Sequence, residues 1–279
     1  MLRAGNISVM IRGKQILQDV SVQVLPGRFT AVVGPNGAGK STLIKVLAGE
    51  ISSTEGSIQI NANEAASMSP KAMSLVRAVL PQHTQVHFAF TAEQVVLLGR
   101  QAHAATKNEN SAVVGEVMEL TGTSAFRSRI YHTLSGGEKQ RVQLARVLAQ
   151  VWEQTLYPRY LLLDEPTSSL DIAQQDIIFS LARLACTRNI GVLAIIHDLN
   201  QAVQFADEMV FLKCGRCVCA GAPPIVFTQS NIETTFGCPV NLYHLAGRSH
   251  PFMVPSHNPL ADAPSFQPCI QFNNNVINQ

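Results

Sequence analysis

A glycine-rich segment that ends in a lysine and a hydroxyl residue is the most chemically specific feature of the sequence. Residues 34–42 read GPNGAGKST, which fits the pattern G-x-x-x-x-G-K-[ST] directly after the apolar run FTAVV. Between a strand and a helix, this pattern forms a loop whose main-chain amides surround phosphate oxygens. Lys40 is then expected to reach the β- and γ-phosphates, and Ser41 to bind Mg²⁺. The predicted nucleotide contacts are Gly34, Pro35, Asn36, Gly37, Ala38, Gly39, Lys40, Ser41 and Thr42.

Polar residues also end three other apolar runs. In YLLLDEP, at 160–166, Asp164 is expected to hold Mg²⁺, usually through water, while Glu165 is the better general base for an attacking water. Gln82 closes RAVLPQ and can hold the metal or the water, and His197 closes GVLAIIH and can hydrogen-bond the γ-phosphate. The predicted catalytic residues are Glu165, His197 and Gln82, and the predicted Mg²⁺ ligands are Ser41, Gln82 and Asp164.

A second anion-binding helix end is predicted about a hundred residues after the first. The segment LSGGEKQRV places Ser135 as the N-cap and Glu138 three residues later, which is a capping box. Gly136 and Gly137 lie between them, where the main chain and the positive end of a helix can approach a phosphate closely. One nucleotide does not need two such ends on one chain, so this second end needs a separate explanation.

The surrounding pattern indicates an α/β fold. The buried runs YLLLDE and GVLAIIHD are separated by the helical segment DIAQQDIIFSLARLA, and such alternation is typical of a parallel sheet with crossover helices. Residues 1–28 are predicted to form short strands, and residues 91–150 to be helical from a capping box at Thr91 and Gln94. The segment CGRCVC at 214–219 has a spacing that metals favour, but a hairpin is the preferred interpretation because no second Cys or His pair lies nearby.

Composition limits the functional classes. The chain has 279 residues, of which 46% are hydrophobic, and a formal net charge of +2. This charge gives no electrostatic reason to expect nucleic acid as a partner. Because no uninterrupted apolar run reaches the roughly 18 residues that a spanning helix requires, we expect a soluble or peripheral protein.

Six segments together resemble one family. GPNGAGKST, LPQ, LSGGE, LLLDEP, SSLD and IIHD stand in the order and approximate spacing of ATP-binding cassette (ABC) ATPases. The resemblance implies an α/β P-loop NTPase (RecA-like) core with an antiparallel β subdomain and a helical signature subdomain. The match covers about residues 1–220, and the nucleotide-binding domain is expected at 1–255, with the helical subdomain at about 83–158. Residues 256–279 contain Pro, Asn, Ser and Gln without periodicity and are expected to form a flexible C-terminal tail.

The same resemblance answers the question raised by the second helix end. In this family two chains associate head to tail, and each ATP, with its Mg²⁺, lies between the phosphate loop of one chain and the LSGGE segment of the other. It therefore implies that Ser135, Gly136, Gly137 and Glu138 act on the nucleotide of a second copy. Asp171, in SSLD, is expected at the seam of this homodimer.

One position departs from the family pattern. An aromatic residue that stacks on adenine is expected in the first hairpin, and the aligned position holds Ile11. An aliphatic side chain can cover one face of the ring without π-stacking. Weaker selectivity for adenine is therefore expected.

Finer similarity concerns the transported substrate. LPQHTQVHFAFTAEQVVLLGRQAH, LARVLAQVWEQTLYPRYLLLDEPTS and GAPPIVFTQSNIETTFGCPV resemble segments of the ATPase subunits of bacterial heme importers. This implies two copies of a transmembrane permease, an indirect link to a periplasmic substrate-binding protein, and a peripheral location on the cytoplasmic face of the inner membrane. Importers of ferric siderophores or cobalamin share most of these features, and a non-transport cassette ATPase is a more distant alternative.

Three histidines and two phenylalanines between residues 83 and 103 are candidate ligands or docking groups. His83, His87 and His103 are interpreted as surface or interface residues rather than heme ligands, because no apolar heme-sized pocket is indicated nearby. Phe88 and Phe90 are expected to help form a groove for a short permease helix, or else to belong to the local core.

Overall fold

The computed structural model describes residues 1–82, 88–168 and 170–256. The strands within these residues are β1 (Leu2–Ile11), β2 (Lys14–Val24), β3 (Phe29–Val33), β4 (Glu55–Ile60), β5 (Asn63–Glu64), β6 (Arg77–Leu80), β7 (Arg159–Leu163), β8 (Ile190–Ile195), β9 (Glu208–Lys213), β10 (Arg216–Gly221), β11 (Val240–Tyr243) and β12 (Phe252–Pro255). The α-helices are α1 (Lys40–Leu47), α2 (Pro70–Val76), α3 (Ala92–Leu97), α4 (Lys107–Leu120), α5 (Gly136–Val151), α6 (Ile172–Thr187), α7 (Leu199–Phe205), α8 (Pro223–Val226) and α9 (Gln229–Phe236). Short 3₁₀ turns occupy Ala65–Ser67, Leu98–Arg100, Ser124–Phe126 and Tyr131–Thr133.

The central sheet has the strand order β10-β9-β3-β8-β7-β6. The pairs from β6 to β9 are parallel, and β9 turns back antiparallel into β10, so the predicted hairpin at 214–219 is present. Every residue of β3, β7 and β8 is buried, because helices cover both faces of a parallel sheet. The carboxyl ends of these strands meet at one edge of the sheet, where open α/β folds place their sites.

A separate antiparallel sheet has the order β2-β1-β4-β5. Its apolar face packs against α1 in a cluster that includes Leu2, Leu17, Leu43 and Leu47. Helix α1 is therefore held between the two sheets, which fixes the loop that precedes it.

The segment from α3 to α5 is helical, as the sequence predicts, and the capping box at Thr91 and Gln94 is present. A second capping box, formed by Thr106 and Glu109, begins α4. Helix α5 also packs on β6 and β7, so the helical segment is continuous with the central core. The observed fold confirms the α/β core, the antiparallel sheet and the helical segment.

The chain continues beyond β10 with structure that the sequence did not indicate. Helix α9 is capped by Thr228 and ends at Gly237, which adopts φ 68°. Strands β11 and β12 form a hairpin, and Asn200 of α7 bonds both main-chain groups of Met253. The predicted tail at 256–279 lies outside the described residues except for Ser256. The boundaries predicted for the domain and the helical subdomain remain predictions.

In the part of the chain that the structure describes, no helix combines the length and the apolar character that crossing a membrane requires.

Candidate functional site

The loop after β3 encloses the ammonium group of Lys40. Lys40 is buried, and its Nζ donates to the main-chain oxygens of Gly34 at 2.8 Å and Pro35 at 3.0 Å. Burial lowers the pKa of Lys40, and the nearby carboxylates of Glu165 and Asp164 partly oppose this shift. The position before α1 is Gly39 with φ 98°, and no side chain caps the helix. The first turn of α1 thus leaves its main-chain amides available for an anion.

The turn between β9 and β10 packs against this loop. Gly215 N donates to Ala38 O at 3.0 Å, and Gln18 N donates to Gly215 O at 2.8 Å. A Cβ on Gly34 would lie 2.1 Å from Leu212 O, and one on Gly39 would lie 2.6 Å from Leu17 Cδ2. Gly34 and Gly39 are therefore required by contacts within the same chain, whereas a Cβ on Gly37 would meet no atom within 4 Å.

Ser41 and Asp164 meet beside the loop. Ser41 Oγ donates to Asp164 Oδ1 at 3.1 Å, and Asp164 is held at the end of β7 by the bond from its own N to Leu80 O at 2.8 Å. Asp164 is buried, and burial raises the pKa of its carboxyl, assisted by the charge of Glu165. A hydroxyl and a carboxylate are the hard oxygen ligands that Mg²⁺ prefers, and a buried carboxylate gains from a cation. These residues fit a Mg²⁺ site.

Glu165 is held between two polar side chains. Gln82 Nε2 donates to Glu165 Oε2 at 2.5 Å, and His197 Nε2 lies 2.6 Å from Glu165 Oε1. Glu165 adopts φ 50°, an uncommon conformation for a residue with a side chain. Sparsely populated backbone conformations of this kind concentrate at functional sites.

The structure therefore places the predicted residues in two adjacent groups. Lys40, Ser41 and Asp164 are close together, while Gln82 and His197 converge on Glu165. Gln82 contacts Glu165 rather than Ser41 or Asp164, so the structure does not bring it into the predicted metal group through a hydrogen bond. Glu165, with its two hydrogen-bonding neighbours, therefore lies next to the predicted site for Mg²⁺ and phosphate.

The second helix end is built as predicted. Ser135 Oγ accepts from Glu138 N at 3.3 Å, and Glu138 Oε2 accepts from Ser135 N at 2.7 Å. Arg129 lies 3.2 Å from Glu138, and the hydrogen bond from Ser135 lowers the pKa of this carboxyl. Within the described residues, no hydrogen bond joins this helix end to residues 34–42. The two anion-binding ends thus remain separate features of one chain.

Asp171 caps α6 close to the second helix end. Its Oδ1 accepts from Gln174 N and its Oδ2 accepts from Gln174 Nε2, both at 2.8 Å. The sequence does not indicate Gln174, because a glutamine inside a helix carries no spacing signal. The Cβ direction of Gly136 is open, whereas a Cβ on Gly137 would lie 2.1 Å from Gln174 Oε1.

Comparison with known proteins identifies the family. The family model described as ABC transporter matches residues 17–168. The chain belongs to the ABC transporter family. It is 43% identical over 91% of its length, and 98% of the relative's, to the hemin import ATP-binding protein HmuV of Rhizobium meliloti. It is 45% identical over 96% of its length, and 97% of the relative's, to the protein of the same name from Gloeobacter violaceus. The predicted resemblance to ABC ATPases, and to heme importers among them, is confirmed.

Solved structures agree with this assignment. A metal-chelate type ABC transporter in an inward-facing conformation aligns with a TM-score of 0.77 and 27% identity, covering 93% of this chain and 98% of that chain. An ATP-binding subunit of an ABC transporter aligns with a TM-score of 0.72 and 24% identity, covering 85% of this chain and 93% of that chain. The second likeness supports the ABC fold alone.

Ile11, at the position where an ABC ATPase is expected to carry an aromatic residue, ends β1 and is 38% exposed. Arg12 and Gly13 follow it as the hairpin turn, with φ 51° and 76°. The side chain is therefore available to a planar ring, although nothing in its contacts selects adenine.

The remaining candidates divide between the core and the surface. The side chain of His103 is 7% exposed, with Nε2 at 2.9 Å from Gln150 O and Nδ1 at 3.2 Å from Glu153 Oε2, so it lies within the fold rather than at the surface, and its alternative interpretation as an interface residue stays a prediction. Phe88 is 71% exposed and contacts Phe90, which packs on the main core. His83 and His87 lie outside the described residues.

Proposed function

We propose that this chain is the ATP-hydrolysing subunit of a bacterial heme importer, and that ATP binds between two copies arranged head to tail. The observation that carries the ATPase is the placement of Glu165, held by Gln82 and His197, next to Ser41, Asp164 and the phosphate loop. The names of the hemin import relatives, which match nearly the whole chain, support heme as the substrate.

Each residue then has a defined chemical task. The loop amides and Lys40 bind the β- and γ-phosphates, and Ser41 and Asp164 hold Mg²⁺. When bound, Mg²⁺ neutralises charge that develops on the phosphate oxygens. Glu165 accepts a proton from the water that attacks the γ-phosphorus, and His197 and Gln82 orient Glu165 and that water.

In the resting arrangement both carboxylate oxygens of Glu165 accept hydrogen bonds from neighbours. To act as a base, one oxygen must turn to the water, so Gln82 or His197 has to release it. His197 is the more exposed partner, and its side chain can exchange Glu165 for the γ-phosphate. Hydrolysis is therefore coupled to a rearrangement at the end of β6 or β8.

The shared site rests on the difference between the two helix ends. Among the described residues, no hydrogen bond joins Ser135, Gly136 or Glu138 to the phosphate loop of their own chain, and they form a capped helix end with an open glycine. A second copy, rotated by a two-fold axis, brings this end to the γ-phosphate of the first. Asp171 then lies near the seam, and loss of the γ-phosphate releases the contact between the copies.

The proposed assembly also contains two copies of a membrane permease, which place this subunit at the cytoplasmic face of the inner membrane. A periplasmic substrate-binding protein contacts the permease rather than this chain. Phe88, whose side chain is 71% exposed, is the residue that we assign to the permease contact. Its neighbour Phe90 anchors this surface to the core.

A ferric-siderophore or cobalamin importer is the second candidate. The specific observation in its favour is the likeness to a metal-chelate type ABC transporter at 27% identity. The two substrates are distinguished by transport in vesicles that contain the complete complex and are supplied with either heme or a ferric siderophore. Heme uptake alone supports the proposal, and uptake of the ferric chelate alone contradicts it.

The ATPase and the shared site are tested with Glu165→Gln. Glutamine keeps the size of the side chain but cannot accept the proton, so turnover is expected to fall by at least about a thousandfold. The variant is expected to form an ATP-dependent dimer that elutes earlier in size-exclusion chromatography. Normal hydrolysis by this variant contradicts the role of Glu165.

Dilution of the wild-type chain provides the matching test of the shared site. Specific ATPase activity is expected to decrease as the protein concentration falls below the dissociation constant of the dimer. Specific activity that stays constant under conditions where light scattering detects only monomer contradicts the head-to-tail arrangement.

A further inference from the structure

The contact between Gly137 and Gln174 connects two segments that the proposed function uses for different tasks. Gly137 belongs to the helix end that receives the γ-phosphate of the other copy, and Gln174 belongs to the first turn of α6, which Asp171 caps. The side-chain amide of Gln174 lies directly between them.

Gln174 controls the orientation of the Asp171 carboxylate. The main-chain amide of Gln174 binds one carboxylate oxygen and its side-chain amide binds the other, each at 2.8 Å. A carboxylate that accepts two hydrogen bonds from one residue has little rotational freedom left. Any displacement of the Gln174 side chain therefore frees one oxygen of Asp171.

The other end of the same amide faces Gly137. Gln174 Oε1 is inaccessible to solvent and has no hydrogen-bond partner among the described residues. A Cβ on Gly137 would lie 2.1 Å from this oxygen and 3.1 Å from Gln174 Cδ. Because native proteins rarely leave a buried amide oxygen without a partner, its position against Gly137 needs an explanation beyond packing.

Further contacts connect α5 with the segment around α6. Gln140, one turn after Gly137, donates from Nε2 to Pro166 O at 2.9 Å. At the opposite ends of the helices, Glu116 accepts from Trp152 Nε1 at 2.6 Å and from Arg188 NH1 at 2.8 Å. Arg188 also lies over the Trp152 ring at 4.3 Å. Helix α5 is thus joined near its start to the segment that precedes α6 and near its end to the end of α6, and these contacts can pass a shift at Gly137 to α6.

We propose that Gln174 is a positioning residue that couples the helix end at Gly137 to the seam residue Asp171 within one chain. The inference rests on the proposed shared site. When the γ-phosphate of the other copy draws Gly137 toward it, Gln174 moves with the helix end and sets the position of Asp171. The glycine at 137 has a second function here, because it leaves room for the amide of Gln174.

A double-mutant cycle tests this coupling. Gly137→Ala is expected to push the Gln174 side chain away from Asp171 and to lower kcat about tenfold, and Gln174→Ala to lower it about fivefold. The double variant is expected to lose about fivefold, as Gln174→Ala does alone, rather than the roughly fiftyfold of independent effects, because the added methyl group finds no amide to displace. A fully additive double variant contradicts the coupling.

Controls separate this coupling from a general loss of stability. Gln174→Met keeps the side-chain length without the hydrogen bond and is expected to lose as much kcat as Gln174→Ala, while Asp176→Ala, an exposed change on the same helix, retains wild-type kcat. The affinity of the dilute chain for ATP and the thermal unfolding temperature are expected to stay the same in both Gln174 variants and in Asp176→Ala. Wild-type kcat in both Gln174 variants contradicts the inference, even if Gly137→Ala does not fold.

Dimerisation distinguishes failure of this inference from failure of the proposed function. In a Glu165→Gln background, the chain with native Gly137 and Gln174 is expected to dimerise with ATP, and the Gln174→Ala chain to dimerise more weakly. If the chain with the native pair does not dimerise, the shared site itself is wrong. If it dimerises and the Gln174→Ala chain does so equally well, the shared site stands and the coupling is wrong.

Discussion

The two anion-binding helix ends use the same elements and yet differ in what they require from their own chain. At the start of α1, Lys40 is buried, the preceding glycine has φ 98°, and no side chain caps the helix. At the start of α5, Ser135 and Glu138 form a complete capping box on an exposed surface. The first end is prepared for a ligand before it binds, whereas the second is already satisfied by its own side chains.

This difference fits the order in which we propose that the two ends act. The end of α1 presents a cation and uncapped amides, so we expect it to bind a triphosphate alone. The end of α5 carries a carboxylate in its first turn, which opposes an incoming anion. In the proposed dimer it contributes only when a second copy delivers a phosphate that is already bound, and hydrolysis then depends on association.

Among the changes that test the difference between the two helix ends, Lys40→Ala is expected to have the largest effect. Removal of the buried ammonium leaves the β- and γ-phosphates without their charged donor, and ATP affinity is expected to fall at least about a hundredfold. Lys71→Ala, an exposed change in the first turn of α2, is the control with the same change in charge. Equilibrium binding of a fluorescent ATP analogue measures both, and unchanged affinity in Lys40→Ala contradicts the role of the first end.

Ser135→Arg is expected to separate binding from hydrolysis. The large cation disrupts the capping box and blocks close approach of the second copy, so turnover is expected to fall about a hundredfold while the dilute chain binds ATP normally. Mixed with Lys40→Ala, it can form at most one working site in each hybrid dimer. Recovery of full wild-type activity in that mixture contradicts shared sites.

Much of this site could be predicted from the sequence, because its strongest signals are local. The phosphate loop, the buried runs that became β3, β7 and β8, and the capping box at Ser135 depend on neighbouring residues. The contact of Glu165 with both Gln82 and His197 could not be predicted as a pair of hydrogen bonds, since three strands must meet before it forms. Gln174 was missed for the same reason, because its partner Gly137 lies on another helix.

Other features could not be predicted for similar physical reasons. The ring of His103 lies against Gln150 O at the end of α5, which is 47 residues away along the chain, so no local pattern indicates this contact. The hairpin of β11 and β12 has strands of only four residues, which are too short to show alternation in the sequence. Asn200 holds the hairpin through hydrogen bonds to the main chain of Met253, and no local sequence pattern predicts this long-range contact.

Glycine substitutions sharpen the contrast between the two ends. Gly34→Ala places a methyl group against Leu212 O, at 2.1 Å before relaxation, and is expected to lower the free energy of unfolding by about 3 kcal/mol or more. Gly136→Ala meets open space and is expected to change it by less than about 0.5 kcal/mol. Its ATPase activity is nevertheless expected to fall, because the methyl group faces the phosphate of the other copy. Urea denaturation and ATPase assays check both, and equal stability losses contradict the difference between the ends.

Glu138→Gln is the smallest and most specific change, because it removes the opposing charge while keeping the cap. Gln94 already fills the equivalent position in the capping box of α3, so glutamine at 138 is expected to accept from Ser135 N in the same way. ATP-driven dimerisation in a Glu165→Gln background is then expected to become two- to fivefold tighter (about 0.5–1 kcal/mol) at low ionic strength.

Salt concentration identifies the cause of this gain. If the gain arises from the carboxylate, it shrinks toward zero near about 0.5 M salt, where screening acts over only a few ångströms. A gain that persists at high salt, or a lower unfolding temperature, points to a changed cap instead. If Glu138→Gln weakens dimerisation at low salt, Glu138 assists the phosphate contact. The inferred difference between the uncapped start of α1 and the capped start of α5 is then wrong.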